Sequence, residues 1–180
     1  TALNYMTHLS GIASEVAKIK AQISEYSTEI TCTRKTIPGL RILQKYAVRV
    51  GGGRNHRMGL DDAILIKDNH IAISGDIGTA IQRAKKFAGH LIPIEVEVDT
   101  IEQLKLALAE GINLVLLDNM PPETLQEAVA LCKGKCQTEA SGGISPETVK
   151  AVAATGVDFI AMGWLTHSSK SLDIGFDFID

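Results

Sequence analysis

One hundred and eighty residues, 45% of them hydrophobic and 22% charged, suffice for one domain with a single core, and the composition is that of a folding globular chain. A formal net charge of -3 gives no general attraction to nucleic acid or to a membrane, so any anion binding must come from a local basic cluster. No apolar run approaches the ~20 residues that cross a bilayer, and no charged-then-apolar leader opens the chain, so a cytoplasmic protein is expected.

The chain enters a helical pattern at once, with Leu3, Met6, Leu9, Ile12, Val16 and Ile19 on one stripe. It starts at Thr1 rather than at an initiator methionine, and a fragment is expected. Short β-branched runs then alternate with amphipathic stretches, the pattern of a parallel sheet with crossover helices. Seven strands are expected, at 29–33, 47–50, 63–66, 92–98, 114–117, 136–140 and 158–162. Asp76 and Thr100 are placed to cap helices running to Phe87 and Glu110, and Ser145-Pro146-Glu147 has the order of an N-cap followed by a first turn. Gly89, Gly111 and Gly156 stand where helices must stop in a left-handed turn.

Strands reading AILI and LVLL are buried on both faces, which suits either a barrel or a doubly wound sheet. An open doubly wound sheet usually carries its glycine-rich phosphate loop after the first strand. Here that strand ends in Thr33-Arg34-Lys35-Thr36, and the double glycine comes late, at Gly142-Gly143. Phosphate loops after the final strands are a barrel feature. The expected fold is therefore α/β, an open or incomplete parallel (β/α) barrel of about seven strands, TIM-like, with residues 1–180 forming one domain.

An unusual share of the polar residues falls at the C-terminal ends of these strands, the face on which barrels build their sites. Arg34, Lys35, His56, Arg57 and Lys67 come from the first three. Two like charges 4 Å apart repel by roughly 4 kcal/mol at an effective dielectric of 20, so their convergence implies a polyanionic ligand. The alternative, an ordinary basic surface, would intersperse acids, and between residues 34 and 67 only Asp61 and Asp62 are available. Glu97 lies inside IEVEV, where a carboxylate needs a partner, although two of the acids Glu95, Glu97 and Asp99 are free to face solvent. Glu97 and Asp118, on successive strands, are the paired carboxylates that suit Mg²⁺ beside phosphate. Ser141-Gly142-Gly143, followed one unit later by Gly163 and His167, reads as a two-loop phosphate clamp. Cys32, Cys132 and Cys136 are read as reduced thiols, and the five histidines are too scattered for zinc.

Six motifs in order, TRKT at 33–36, GGGRNHRMGL at 51–60, IKDNH at 66–70, EVEVD at 95–99, LLDNM at 116–120 and SGGI at 141–144, make the chain closely resemble the quinolinate phosphoribosyltransferase family. The resemblance implies transfer of phosphoribose from phosphoribosyl pyrophosphate to quinolinate with decarboxylation, in NAD biosynthesis, with Mg²⁺ as cofactor. It implies that Arg34, His56, Arg57 and Lys67 bind the quinolinate carboxylates. Lys35, Glu97 and Asp118 would be catalytic toward ribose and pyrophosphate, with Glu97 and Asp118 holding the metal, and Ser141, Gly142, Gly143, Gly163 and His167 would bind phosphate. It further implies a homodimer or higher oligomer whose site is completed across the interface by an arginine lying just before the position of Thr1. By the same resemblance, the family's N-terminal domain is expected to be absent from this chain. The rivals are a paralogue with another acceptor, against which the intact KDNH argues; a catalytically silent barrel, whose signature would be loss of a charged group from the basic or acidic set, with no loss visible apart from the N-terminal part; and an indole- or thiazole-type biosynthetic barrel, which would not explain TRKT and HRMGL together.

Overall fold

The structure is a computed structural model that describes residues 1–177. Six strands form one sheet: β1 (Glu29–Thr31), β2 (Ile64–Ile66), β3 (Ile94–Val98), β4 (Leu114–Asp118), β5 (Gln137–Ser141) and β6 (Phe159–Ala161). All neighbours pair in parallel, in the order β1-β6-β5-β4-β3-β2. Among the described residues, helices α1 (Ala2–Gln22), α2 (Arg41–Val50), α3 (Asp68–Ser74), α4 (Ile77–Phe87), α5 (Ile101–Ala109), α6 (Pro122–Cys132), α7 (Val149–Ala153) and α8 (Trp164–His167) account for the rest of the regular structure. The α/β barrel expectation holds, with the sheet left unclosed between β1 and β2.

Six strands stand where seven were expected because 47–50 is the last turn of α2. The run AVRV is β-branched, but it continues a period of 3.6 in which Gln44, Lys45, Ala47 and Val48 are buried on one face. Residues 51–57 then lie across the seam. Arg54 N–H donates to the Ile30 carbonyl at 2.8 Å and its own carbonyl accepts from Cys32 N–H at 3.2 Å, while Arg57 Nη1 reaches the Ala63 carbonyl at 3.1 Å on the β2 side.

The caps follow their chemistry. Asp76 accepts from Thr79 N–H and Thr100 from Gln103 N–H, and Gly111 and Gly156 adopt positive φ. Two expectations fail locally. Gly89 is not left-handed, since α4 ends with Ala88 in extended conformation. The helix after Ser145 is delayed to α7 at Val149, because the Ser145 carbonyl first accepts from Thr148 and Val149 in a separate turn. Lys67, taken as a strand end, is also the N-cap of α3.

Side chains alternate across a strand, so each strand has one face toward the helices and one toward the barrel axis. Toward the helices lie Ile30, Ile66, Val96, Val98, Val115, Leu117, Ala140 and Ile160, packed with Ile81, Leu104, Leu125 and Val152 as one apolar core. The face toward the axis carries the charged residues. There Glu95 and Glu139 are 4% and 3% exposed, so of Glu95, Glu97 and Asp99, two of which were free to face solvent, only Asp99, just past the end of β3, is exposed.

Candidate functional site

A cavity of about 620 Å³ opens over the C-terminal ends of the strands, lined among others by all twelve residues singled out from the sequence: Arg34, Lys35, His56, Arg57, Lys67, Glu97, Asp118, Ser141, Gly142, Gly143, Gly163 and His167. The register explains why. Glu97 pairs with Leu116 and Asp118 with Ser141, so these positions share the inward face with Leu65, Lys67 and Ala161. The seam loop delivers His56 and Arg57 between the two sheet edges that carry Arg34 and Lys67.

The two ends of the cavity differ in charge. Arg34, Arg57 and Lys67 gather on the β1–β2 side, and Arg34 Nε is buried without a hydrogen-bond partner. Burial, then the neighbouring Arg34 guanidinium, pushes the Arg57 pKa down, the signature of cations held together. Lys67 is the exception, since its ammonium pairs with Glu97. His56 lines the cavity but has both ring nitrogens engaged, Nδ1 accepting from Arg57 N–H at 2.8 Å and Nε2 bonded to Glu95 Oε2 at 2.8 Å. In this arrangement it supports Arg57 rather than presenting a free donor to a ligand.

At the other end the chain backbone does the shaping. Gly142 and Gly143 have φ of 97° and 59°, and a Cβ on Gly142 would lie 2.2 Å from Asn119 Oδ1 and 2.7 Å from Asn119 N. Asn119 is itself left-handed at φ 54°; its backbone N–H donates to the Ser141 carbonyl at 2.9 Å and its Nδ2 to Asp118 Oδ2 at 2.6 Å. Gly142→Ala is expected to cost about 1–3 kcal/mol of stability and to pull Asp118 out of place, read as a lowered urea midpoint. Gly163 is close-packed to a lesser degree: a Cβ there would sit 3.0 Å from Lys35 Cδ and 3.3 Å from His167, which sets Lys35, Gly163 and His167 side by side.

Glu97 and Asp118 are hard oxygen donors on adjacent strands, with open cavity beside them for water and phosphate oxygens. That donor set fits Mg²⁺. A second group, His56, Glu95 and Glu139, brings ligand-type atoms within 4.8 Å of one another beneath the cavity, and one oxygen of each carboxylate is already engaged: Thr31 Oγ1 donates to Glu139 Oε1 at 2.7 Å and His56 Nε2 is bonded to Glu95 Oε2 at 2.8 Å. This group was legible only as strand-end polarity. Lys45, fully buried in α2 with its Nζ 2.8 Å from the His56 carbonyl and 3.1 Å from Cys32 Sγ, carried no sequence signal.

Burial, and after it the Glu95 carboxylate, raises the Glu139 pKa to about 7. The folded chain thus retains a proton that the unfolded chain, with an ordinary value of 4.5, gives up. Raising the pH between these values favours unfolding. Stability should fall from pH 5 to pH 8 by an amount on the order of 2–3 kcal/mol from this group. Urea melts at the two pH values test it, and Glu139→Gln should remove most of the difference.

Among the described residues no helix is long and apolar enough to cross a membrane, and the three cysteines are free. Residues 12–177 match the family model described as quinolinate phosphoribosyl transferase, C-terminal domain. The chain is 50% identical to the probable nicotinate-nucleotide pyrophosphorylase [carboxylating] of Bacillus subtilis, over 97% of its own length and 61% of that protein. It is likewise 50% identical to the nicotinate-nucleotide pyrophosphorylase [carboxylating] of Mycobacterium leprae, over 98% and 63% of the two chains. The crystal structure of NadC from Streptococcus pyogenes superposes with a TM-score of 0.92 at 42% identity, covering 99% of this chain and 64% of that one. The chain thus spans about three fifths of the length of these relatives, and within that span it belongs to the quinolinate phosphoribosyl transferase C-terminal domain family.

Proposed function

We propose that this chain carries the site at which phosphoribose passes from phosphoribosyl pyrophosphate to quinolinate, giving nicotinate mononucleotide, pyrophosphate and CO₂. The observation that carries the reading is the cationic end of the cavity, where Arg34 Nε is buried without a partner beside Arg57 and Lys67. A dicarboxylate supplies what such a group lacks. The relatives' printed names, which specify a carboxylating pyrophosphorylase of nicotinate nucleotide, agree with a pyridine dicarboxylate as the acceptor.

Cleaving the ribose–pyrophosphate bond puts positive charge on the sugar carbon and negative charge on the leaving group. Glu97 faces the first and Lys35 the second, while Asp118, held by Asn119, stands beside the glycine loop. Mg²⁺ bound by Glu97 and Asp118 would neutralise pyrophosphate charge. Ser141, Gly142, Gly143, Gly163 and His167 hold phosphate oxygens. Once the ring nitrogen is bonded to ribose, its positive charge stabilises the carbanion left by departing CO₂, so decarboxylation asks little of the protein.

A reducing, cytoplasmic setting suits three free thiols, and a homodimer that completes the cavity across its interface suits a site built on one open face. Calorimetry tests the substrate directly. Quinolinate should bind this chain at least tenfold more tightly than nicotinate, which lacks the second carboxylate; equal affinities would remove the reading.

A further inference from the structure

Beneath the cavity, side chains from three strands and the seam loop lie together in a line, Thr31, Glu139, Glu95 and His56, ending at the Arg57 amide; Thr31–Glu139 and Glu95–His56 are hydrogen-bonded pairs, and ligand-type atoms of Glu95 and Glu139 approach within 4.8 Å. Thr31 Oγ1 donates to Glu139 Oε1. His56 Nε2 meets Glu95 Oε2 at 2.8 Å and Glu139 Oε1 at 4.0 Å. Because His56 Nδ1 accepts from Arg57 N–H, the ring proton sits on Nε2 and is donated to Glu95. Glu95 Oε1 is buried with no partner among the described residues, and an orphaned carboxylate oxygen inside a barrel is costly. Glu139, with a ligand-type oxygen within 4.8 Å of its Glu95 counterpart and a pKa that burial and the Glu95 carboxylate raise to about 7, can carry a proton beside that oxygen.

The group would have no reason to be buried for stability alone, since paired buried ions seldom outdo an apolar filling. Its upper end, however, is a cavity residue. We propose that Glu95 is a positioning residue for the dicarboxylate end of the site: by taking the Nε2 proton of His56 it turns Nδ1 toward the Arg57 amide and so fixes the main chain from which the Arg57 guanidinium reaches the ligand. Glu139 and Thr31 hold Glu95 in that attitude, and Lys45, bonded to the His56 carbonyl, fixes the loop from below. The inference rests on the quinolinate reading only for the identity of the ligand; the geometry of His56 and Arg57 is independent of it.

Two substitutions separate positioning from mere filling. Glu95→Gln keeps an acceptor for His56 Nε2, whereas Glu95→Leu fills the space and accepts nothing. With circular dichroism and urea melts showing both variants folded, calorimetry should find quinolinate affinity at least tenfold weaker in Glu95→Leu and within about threefold of the parent in Glu95→Gln. Phosphoribosyl pyrophosphate affinity should stay within twofold in both. Equal weakening of both ligands, or no weakening in Glu95→Leu, overturns the proposal. A ligand-free measurement covers the remaining cases: the Arg57 amide should exchange with solvent at least tenfold faster in Glu95→Leu, and nitrogen-detected spectra of the parent should place the His56 proton on Nε2. If Glu95→Leu does not fold, Thr31→Val, which loosens the lower end, should speed Arg57 exchange in its place. Should the parent fail to bind quinolinate, the substrate reading falls, and the exchange and ring-proton data alone decide for or against Glu95.

Discussion

Arg57→Ala should weaken quinolinate binding by about two orders of magnitude while phosphoribosyl pyrophosphate binding changes only a few-fold. A charge-assisted hydrogen bond in a half-buried site contributes about 1.5–3 kcal/mol. Arg57 is the more informative target than Lys67, because Lys67 is already paired with Glu97. Lys67→Ala removes a cation from the ligand and at the same time releases a carboxylate next to it, so its effect should be the larger of the two. Calorimetric titration of each variant with both ligands is the measurement. A loss shared equally between quinolinate and phosphoribosyl pyrophosphate would sink the assignment of the cationic end.

The second large effect belongs to Glu97. Glu97→Gln should lower single-turnover product formation by about 10²-fold, the scale set by removing one preorganised electrostatic group, while leaving quinolinate affinity unchanged or improved. The improvement follows from the ion pair. A neutral glutamine leaves Lys67 without its internal counterion, and a free Lys67 is better disposed to a ligand carboxylate. Turnover within a few-fold of the parent would mean that Glu97 serves as counterion to Lys67 and nothing more.

How far these residues could be placed from sequence depended on the range of the interactions involved. Strand ends are local: a β-branched run followed by Lys67 or Asp118 states its own boundary, and the parallel register then carries those positions to one cavity. Helix α2 was misread because AVRV is a strand by composition; what makes it helical is Gln44, Lys45, Ala47 and Val48 meeting the rest of the fold on one face. The Glu95–Glu139 contact joins residues 44 positions apart across the barrel, with nothing in either strand to announce it. His56 joined the basic set by its place after an expected strand and the quinolinate binders by resemblance; the geometry adds that its two nitrogens are engaged with Glu95 and the Arg57 amide.

The apolar layer of this molecule is a sleeve around the strands, while the space the strands enclose is ionic. The apolar packing and the ligand-facing charge therefore reside in different shells. Exchanges on the inner wall can retune what is recognised without touching the packing that keeps the chain folded, and replacing Glu139 by an uncharged residue should yield a protein that melts higher at alkaline pH and performs worse. Such separability lets a single scaffold drift toward new anionic ligands one inner residue at a time.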